Sequence, residues 1–240
     1  MERVDEIKFG GYRIYQDDMG FMYGTDAVLL SIFTAKYSKS GKKAIDLGTN
    51  TGIVPTIILS KKKDYNFLGV EVQKDSYELA LKGAKENSLE NNLKFINSDI
   101  LDLKGKVDFG SFDLVTTNPP YMKRGSSLET ENEKKLISRT ETTATLEDFI
   151  RVASDLLKER GELFMVNRPY RLTDIFQFAR KYRLEPKRIQ MVSPRRGENP
   201  NLVLLSFTKG GGTEITVLPE ISIRDGNEFS SDFVESYRDF

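Results

Sequence analysis

The stretch Asp113-Leu114-Val115-Thr116-Thr117-Asn118-Pro119-Pro120-Tyr121 does most to limit how this chain can fold. Phe112, Leu114 and Val115 are apolar and partly β-branched, which suits a parallel strand covered on both faces. The prolines then end it, because neither has an N–H for a sheet ladder, and Pro119 biases Asn118 toward an extended backbone. A stiff polar turn therefore follows a buried strand. In an open α/β sheet, ligands bind outside the carboxyl ends of the strands, where such a turn lies. The Asn118 side-chain carbonyl and the carbonyls beside Pro119 and Pro120 can converge on a small donor such as an amine, and Tyr121 offers a flat face for stacking. Taken alone, Asn-Pro-Pro-Tyr is equally compatible with an ordinary loop, so the upstream pattern decides.

That pattern is strand, glycine turn, helix. Ala44-Ile45-Asp46-Leu47-Gly48-Thr49-Asn50-Thr51-Gly52 leads into the apolar run Ile53 to Leu59. Gly48 and Gly52 let the backbone pass close to a ligand, the following helix N-terminus presents free N–H groups, and Asp46 at the strand end can orient an amine or a water. The next strand, Tyr65 to Glu71, ends in an acid about twenty residues after the turn, the spacing at which a carboxylate receives ribose hydroxyls. A helix through Tyr77 to Leu81 and a strand at Leu93 to Ile96 lead to Asp99, which can accept from an adenine amino group or simply form a turn.

Ahead of this unit, Ile7-Lys8-Phe9, Gly10-Gly11 and Tyr12 to Tyr15 read as a hairpin, since paired glycines supply positive φ. Thr25 or Asp26 can cap a helix running Ala27 to Phe33. Beyond the Asn-Pro-Pro-Tyr turn, Met122 to Thr145 reads as a polar loop carrying Arg139, a candidate phosphate contact. Helices follow at Leu146 to Leu157 and Thr173 to Tyr182, with strands at Gly161 to Val166 and Leu202 to Phe207. Gly210-Gly211-Gly212 precedes an acidic tail. The alternation argues for one doubly wound α/β domain with a mainly parallel sheet over 1–240: hairpin to 24, core over 25–209, extension over 210–240.

At 240 residues the chain suits one sizeable core. No apolar run approaches the roughly 18 residues of a membrane span, and the charged N-terminus has no apolar leader. A soluble, cytoplasmic monomer with no membrane partner is expected. The chain has neither cysteine nor histidine, which removes thiolate and His-ligated metal sites and Ser-His-Asp or Cys-His catalysis. No metal site is expected. Formal net charge is zero, yet nine Lys/Arg face only Asp174 and Glu185 between Val166 and Arg196. Within that basic segment Arg168, Arg171, Lys187, Arg188, Arg195 and Arg196 are candidate nucleic-acid contacts, or they form a solvated helix face.

Asp46-x-Gly48-x-Asn50-x-Gly52, Glu71, Asp99 and Asn118-Pro119-Pro120-Tyr121, in this order at strand ends, resemble the class I S-adenosylmethionine-dependent methyltransferases. The resemblance implies a Rossmann-like seven-stranded sheet with its last strand antiparallel. It also implies the glycine turn around the methionine part of the cofactor, Glu71 on the ribose, Asp99 near the adenine, and Asn118 beside both cofactor and substrate. Asn50 stands where most members carry a third glycine, and Asn tolerates positive φ better than other side chains.

Asn-Pro-Pro-Tyr narrows the resemblance to enzymes that methylate a planar nitrogen. Tyr23-Gly24-Thr25-Asp26-Ala27-Val28-Leu29-Leu30, Arg139, Asn167-Arg168-Pro169, Glu185-Pro186-Lys187-Arg188 and Asn201-Leu202-Val203-Leu204 resemble the bacterial tRNA-1(Val) adenine-37 N6-methyltransferase family. In that family Gly-Thr-Asp sits at the cofactor pocket, which implies such a place for Thr25 and Asp26. Members often have His where Arg168 follows Asn167 or Thr140 follows Arg139. A tRNA adenine substrate is thus implied. A release-factor glutamine methyltransferase would use the same turn with a peptide groove, and guanine N2 is another exocyclic amine. A cofactor-binding RNA adaptor without catalysis is a further alternative. An NAD-linked oxidoreductase is disfavoured because Gly48-x-Asn50-x-x-Ile53 is not a dinucleotide fingerprint.

Overall fold

Residues 2–7, 11–17, 24–121 and 144–238 are described by the computed structural model. β1 (Glu2–Glu6) and β2 (Arg13–Asp17) pair antiparallel, with Glu6 opposite Arg13. A leading hairpin is there, but its first strand ends at Glu6, before the stretch expected to start at Ile7, and lies in the charged N-terminus. Gly11 takes a positive φ of 68°. Lys8 to Gly10 lie outside the described residues.

α1 (Thr25–Tyr37) is apolar all round and buried from Ala27 to Ala35. It is capped by Gly24 with no side-chain hydrogen bond, so neither Thr25 nor Asp26 is the cap expected from the sequence; both stand in the first turn. The sheet then begins with β3 (Lys43–Leu47), followed by α2 (Ile53–Lys61), β4 (Asn66–Glu71), α3 (Lys74–Glu86), β5 (Leu93–Asn97) and β6 (Phe112–Thr117). α4 (Leu146–Leu156), β7 (Leu157–Asn167), α5 (Leu172–Lys181), β8 (Leu184–Arg195) and β9 (Leu202–Lys209) complete the core. The core strands lie in the order β5-β4-β3-β6-β7-β9-β8. Neighbours are parallel from β5 to β7, and β9 runs antiparallel to both β7 and β8. This is the doubly wound arrangement with an antiparallel last strand.

Alternation along the strands divides the core in two. Ala44, Leu114, Phe164, Val166 and Leu204 join the cluster under α1, α2 and α3. Ile45, Val115, Leu163, Met165 and Leu205 join the cluster under α4 and α5. Burying both faces accounts for the continuous apolar runs. Phe164, fully buried, meets Phe33 edge-on at 5.6 Å. The hairpin β1–β2 is tied to the end of α3 by Asn87, whose Oδ1 accepts from the Arg13 N–H and whose Nδ2 donates to the Arg13 carbonyl, each at 2.8 Å.

Two expectations are corrected beyond β7. The basic segment read as a possible helix face contains β8, a twelve-residue strand. The stretch after Gly210-Gly211-Gly212 also joins the sheet. β10 (Thr216–Val217) and β11 (Ile221–Asp225) run parallel along β8, β12 (Glu228–Phe229) returns on β11, and α6 (Ser231–Arg238) follows. The sheet thereby reaches ten strands. Among the described residues no helix is long and apolar enough to cross a membrane.

Candidate active site

Strand order reverses at β3: β4 and β5 continue to one side, β6 and β7 to the other. The carboxyl ends of β3 and β6 therefore open a crevice at a topological switch point, where open α/β sheets bind ligands. Register puts Asp46 between Gly69 and Thr116, and Leu47 opposite Thr117. Thr117 Oγ1 donates to the Leu47 carbonyl at 2.9 Å, tying the two strand ends together.

The glycine turn leaves β3 in an unusual backbone. Gly48, Asn50 and Gly52 have φ of 71°, 51° and 79°, so three alternate residues lie in the left-handed region. Asn50 thus adopts the conformation that glycine would favour at that position. The N–H groups of Gly48 and Thr49 both donate to the Val70 carbonyl, at 3.0 and 2.9 Å. Gly52 caps α2, and a Cβ there would lie 2.8 Å from the Phe95 ring, so glycine is required twice over.

Two acids from the sequence reading, Asp46 and Glu71, meet at this turn, and the third, Asp99, lies at the end of β5. Asp46 is buried, and the Thr116 hydroxyl donates to its Oδ1 at 2.6 Å, while Oδ2 has no hydrogen-bond partner. Burial pushes the Asp46 carboxyl up to about 7, with the Thr116 bond and then the nearby Thr49 hydroxyl working against it and the Glu71 charge adding to it. Glu71 spans the next loop: Oε2 accepts from the Asn50 N–H at 2.8 Å and Oε1 from the Gln73 N–H at 2.9 Å. Asp99 lies at the end of β5, where its Oδ1 accepts from the Leu101 N–H at 2.9 Å. The turn-forming reading of Asp99 therefore holds for one of its oxygens. Asn97, not singled out from the sequence, ties β5 to β4 by donating to the carbonyls of Glu71 and Val72 at 2.8 and 2.9 Å.

The turn after β6 is held from elsewhere in the chain. Asp26, in the first turn of α1, takes two bonds on Oδ2: from Asn118 Nδ2 at 3.1 Å and from the Tyr121 hydroxyl. Burial and then the Asp26 carboxylate hold the Tyr121 hydroxyl far above its usual range, so it remains a donor. Arg168 stacks its guanidinium 4.7 Å from the Tyr121 ring centre and donates to the Asn201 carbonyl at 3.0 Å. The Tyr121 carbonyl accepts from the Tyr170 hydroxyl at 3.0 Å and from Arg171 at 3.4 Å. Pro119 is buried and Pro120 exposed. Thr25 opens α1 beside Asp26.

The structure divides the basic candidates. Arg171 is buried and paired with Asp174 at 3.0 Å, so it braces the turn and is not presented to solvent as the sequence suggested. Arg195 and Arg196 lie at the carboxyl end of β8, the end that carries the crevice, and Arg196 is paired with Asp225 and Asp232 at 2.8 and 3.1 Å. Lys187 and Arg188 lie toward the other end, with Lys187 donating to the Gly212 and Glu214 carbonyls and Arg188 stacked on Tyr37. Arg139 and Tyr23 fall outside the described residues. Tyr170, missed in the sequence, is 68% exposed at the rim of the site. Its signal was an aromatic between Arg168-Pro169 and Arg171.

Comparison with known proteins agrees with this fold. Two curated bacterial relatives are named tRNA1(Val) (adenine(37)-N6)-methyltransferase. The one from Porphyromonas gingivalis is 28% identical over 84% of this chain and 80% of its own length. The one from Bacteroides fragilis is 25% identical over 98% of this chain and 96% of its own. Among solved structures, a predicted O-methyltransferase from Agrobacterium tumefaciens superposes with a TM-score of 0.70 at 17% identity, covering 89% of this chain and 95% of that one. TYW2 from M. jannaschii, solved with AdoMet, gives a TM-score of 0.60 at 14% identity, covering 86% and 85%. Residues 21–177 match the methyltransferase small domain, and the chain belongs to that family.

Proposed function

We propose that this protein transfers a methyl group from S-adenosylmethionine to the exocyclic N6 of an adenine in tRNA, and that it does so in the cytoplasm. The observation that carries this reading is the turn after β6. An acceptor amide and an aromatic ring are braced side by side there, next to a turn whose backbone is shaped for close approach. The names of the curated relatives support the substrate.

The residues present fit the cofactor. The buried Asp46 Oδ2 without a hydrogen-bond partner matches an ammonium group, and the left-handed turn from Gly48 to Gly52 follows directly from that strand end. Glu71, at the end of β4 and bonded to the Asn50 N–H of the glycine turn, is the candidate for the ribose hydroxyls. Asp99 at the neighbouring strand end is the candidate for the adenine edge, and Thr25, which opens α1, is a candidate for the other side. When bound, S-adenosylmethionine supplies a sulfonium methyl, a strong electrophile.

The chain must deal with the acceptor. The adenine N6 lone pair is delocalised into the ring and is a poor nucleophile. Asn118 Oδ1 and the Pro119 carbonyl accept its two hydrogens, which holds the amine in line and favours localising the pair on nitrogen. Tyr121 stacks on the extruded base, and the proton leaves after transfer. Arg139, Arg168, Arg195 and Arg196 are the proposed phosphate contacts, weakened by rising salt.

The test offers labelled S-adenosylmethionine with unmodified tRNA, ribosomal RNA, DNA and release-factor protein, and resolves the nucleosides by mass spectrometry. N6-methyladenosine in one tRNA is expected. Label in protein would instead assign glutamine methylation, and N2-methylguanosine would reassign the base.

A further inference from the structure

An amide is nearly symmetric in shape, so the shape of Asn118 does not decide whether Oδ1 or Nδ2 faces an incoming amine. Only Oδ1 can accept from it, so the neighbours must set the orientation. Asp26 Oδ2 lies 3.1 Å from Nδ2, and an ionised carboxylate accepts hydrogen bonds without donating any. The reversed amide would press Oδ1 against that carboxylate, two acceptors with no proton between them. The same carboxylate oxygen receives the Tyr121 hydroxyl, so one group governs both the acceptor and the stacking ring.

The surroundings are arranged to keep Asp26 there. It stands in the first turn of α1, where unpaired N–H groups and the helix dipole favour negative charge. Gly24 lacks the Cβ that would come within 2.6 Å of Asp26 Oδ1. On the far side, Tyr170 and Arg171 hold the Tyr121 carbonyl, so the residue is held at its backbone as well as at its hydroxyl.

We propose that Asp26 is a positioning residue: it turns the Asn118 amide so that Oδ1 faces the substrate amine, and it sets the Tyr121 ring, without itself touching the reacting atoms. This rests on the reading of Asn118 as the acceptor for an exocyclic amine. It gives Asp26 a task separate from any contact with the cofactor.

The experiment compares the full chain with Asp26→Asn and Asp26→Ala by three measurements. They are calorimetric affinity for S-adenosylmethionine, single-turnover methyl transfer to unmodified tRNA, and the 15N-resolved side-chain amide signals of Asn118, assigned by their loss in Asn118→Ala. In both variants the transfer rate constant should fall about 10- to 100-fold while cofactor affinity stays within about threefold. The Asn118 amide proton that faces the carboxylate should move upfield in Asp26→Asn. Adding Tyr121→Phe to Asp26→Ala should cost little more, because both changes remove one contact. A wild-type rate in Asp26→Asn, or a rate loss matched by an equal loss of cofactor affinity, would overturn the proposal. So would an Asn118 amide signal that does not move, a readout that needs no substrate. If the wild-type chain fails to methylate tRNA while that signal does move, the substrate reading falls and the Asp26 contact stands.

Discussion

The turns after β3 and β6 leave adjacent strands and face the same crevice, yet they are held in different ways. The turn after β3 is shaped by its own backbone: alternating left-handed residues, two N–H groups on one carbonyl, and glycine where a side chain would strike Phe95. The turn after β6 is held by one side chain, Asp26, 92 and 95 residues upstream of the two members it binds, and by two side chains 49 and 50 residues downstream of Tyr121. A turn fixed by backbone shape must show it in its residue types. One fixed by distant side chains shows only what it offers to the ligand.

The largest effect that would sharpen this contrast is Asn118→Ala. Removing one aimed acceptor should cost about 100- to 1,000-fold in the transfer rate constant and largely keep cofactor affinity, as single-turnover kinetics and calorimetry would show. A near wild-type rate would break the assignment. Gly52→Ala should act on the other turn and on the fold together. Positive φ and crowding against Phe95 should cost about 2–4 kcal/mol of stability in urea denaturation, and the cofactor site should loosen with it.

A smaller effect is set by pH. Asp46, raised to about 7, is mostly protonated at pH 6 and mostly ionised at pH 8, and only the ionised form pairs with an ammonium group. Cofactor affinity should therefore rise about tenfold across that interval, and titrations of Asp46→Asn should lose the slope. The smallest effect is expected at Asn50→Gly. The backbone already has the φ that glycine favours, and the N–H bond to Glu71 is kept, so cofactor affinity should change by less than about threefold. A large gain would mean that the side chain obstructs the site.

Most of the strand and helix order was legible because β3, β4, β6, β7 and β9 carry apolar runs covered on both faces. The acids and the Asn-Pro-Pro-Tyr turn were legible as strand-end chemistry. β8 was not, because Pro186, Lys187, Arg188 and Gln190 interrupt its pattern, and it is a strand by virtue of β9, β10 and β11, which arrive later in the chain. β10 and β12 are two residues each, too short to carry a period. Arg171 was misread for a related reason: charge in a sequence gives no burial, and beside its local partner Asp174 only the fold brings the Tyr121 carbonyl to it. The bond between Asp26 and the β6 turn was likewise invisible, since residue types on separate elements do not announce that they meet.

The strands added after Gly212 also bear on how copies of this chain behave toward one another. β8 is twelve residues long, and without β10 and β11 one whole side of it would present open N–H and C=O groups, a template for another chain. With them in place, the edge on that side is made of short pieces: the two-residue β10, the five-residue β11 and the two-residue β12 that pairs with its end. The C-terminal stretch thus serves as a guard against edge-to-edge aggregation: a chain cut after Lys209 should lose solubility before it loses the crevice between β3 and β6.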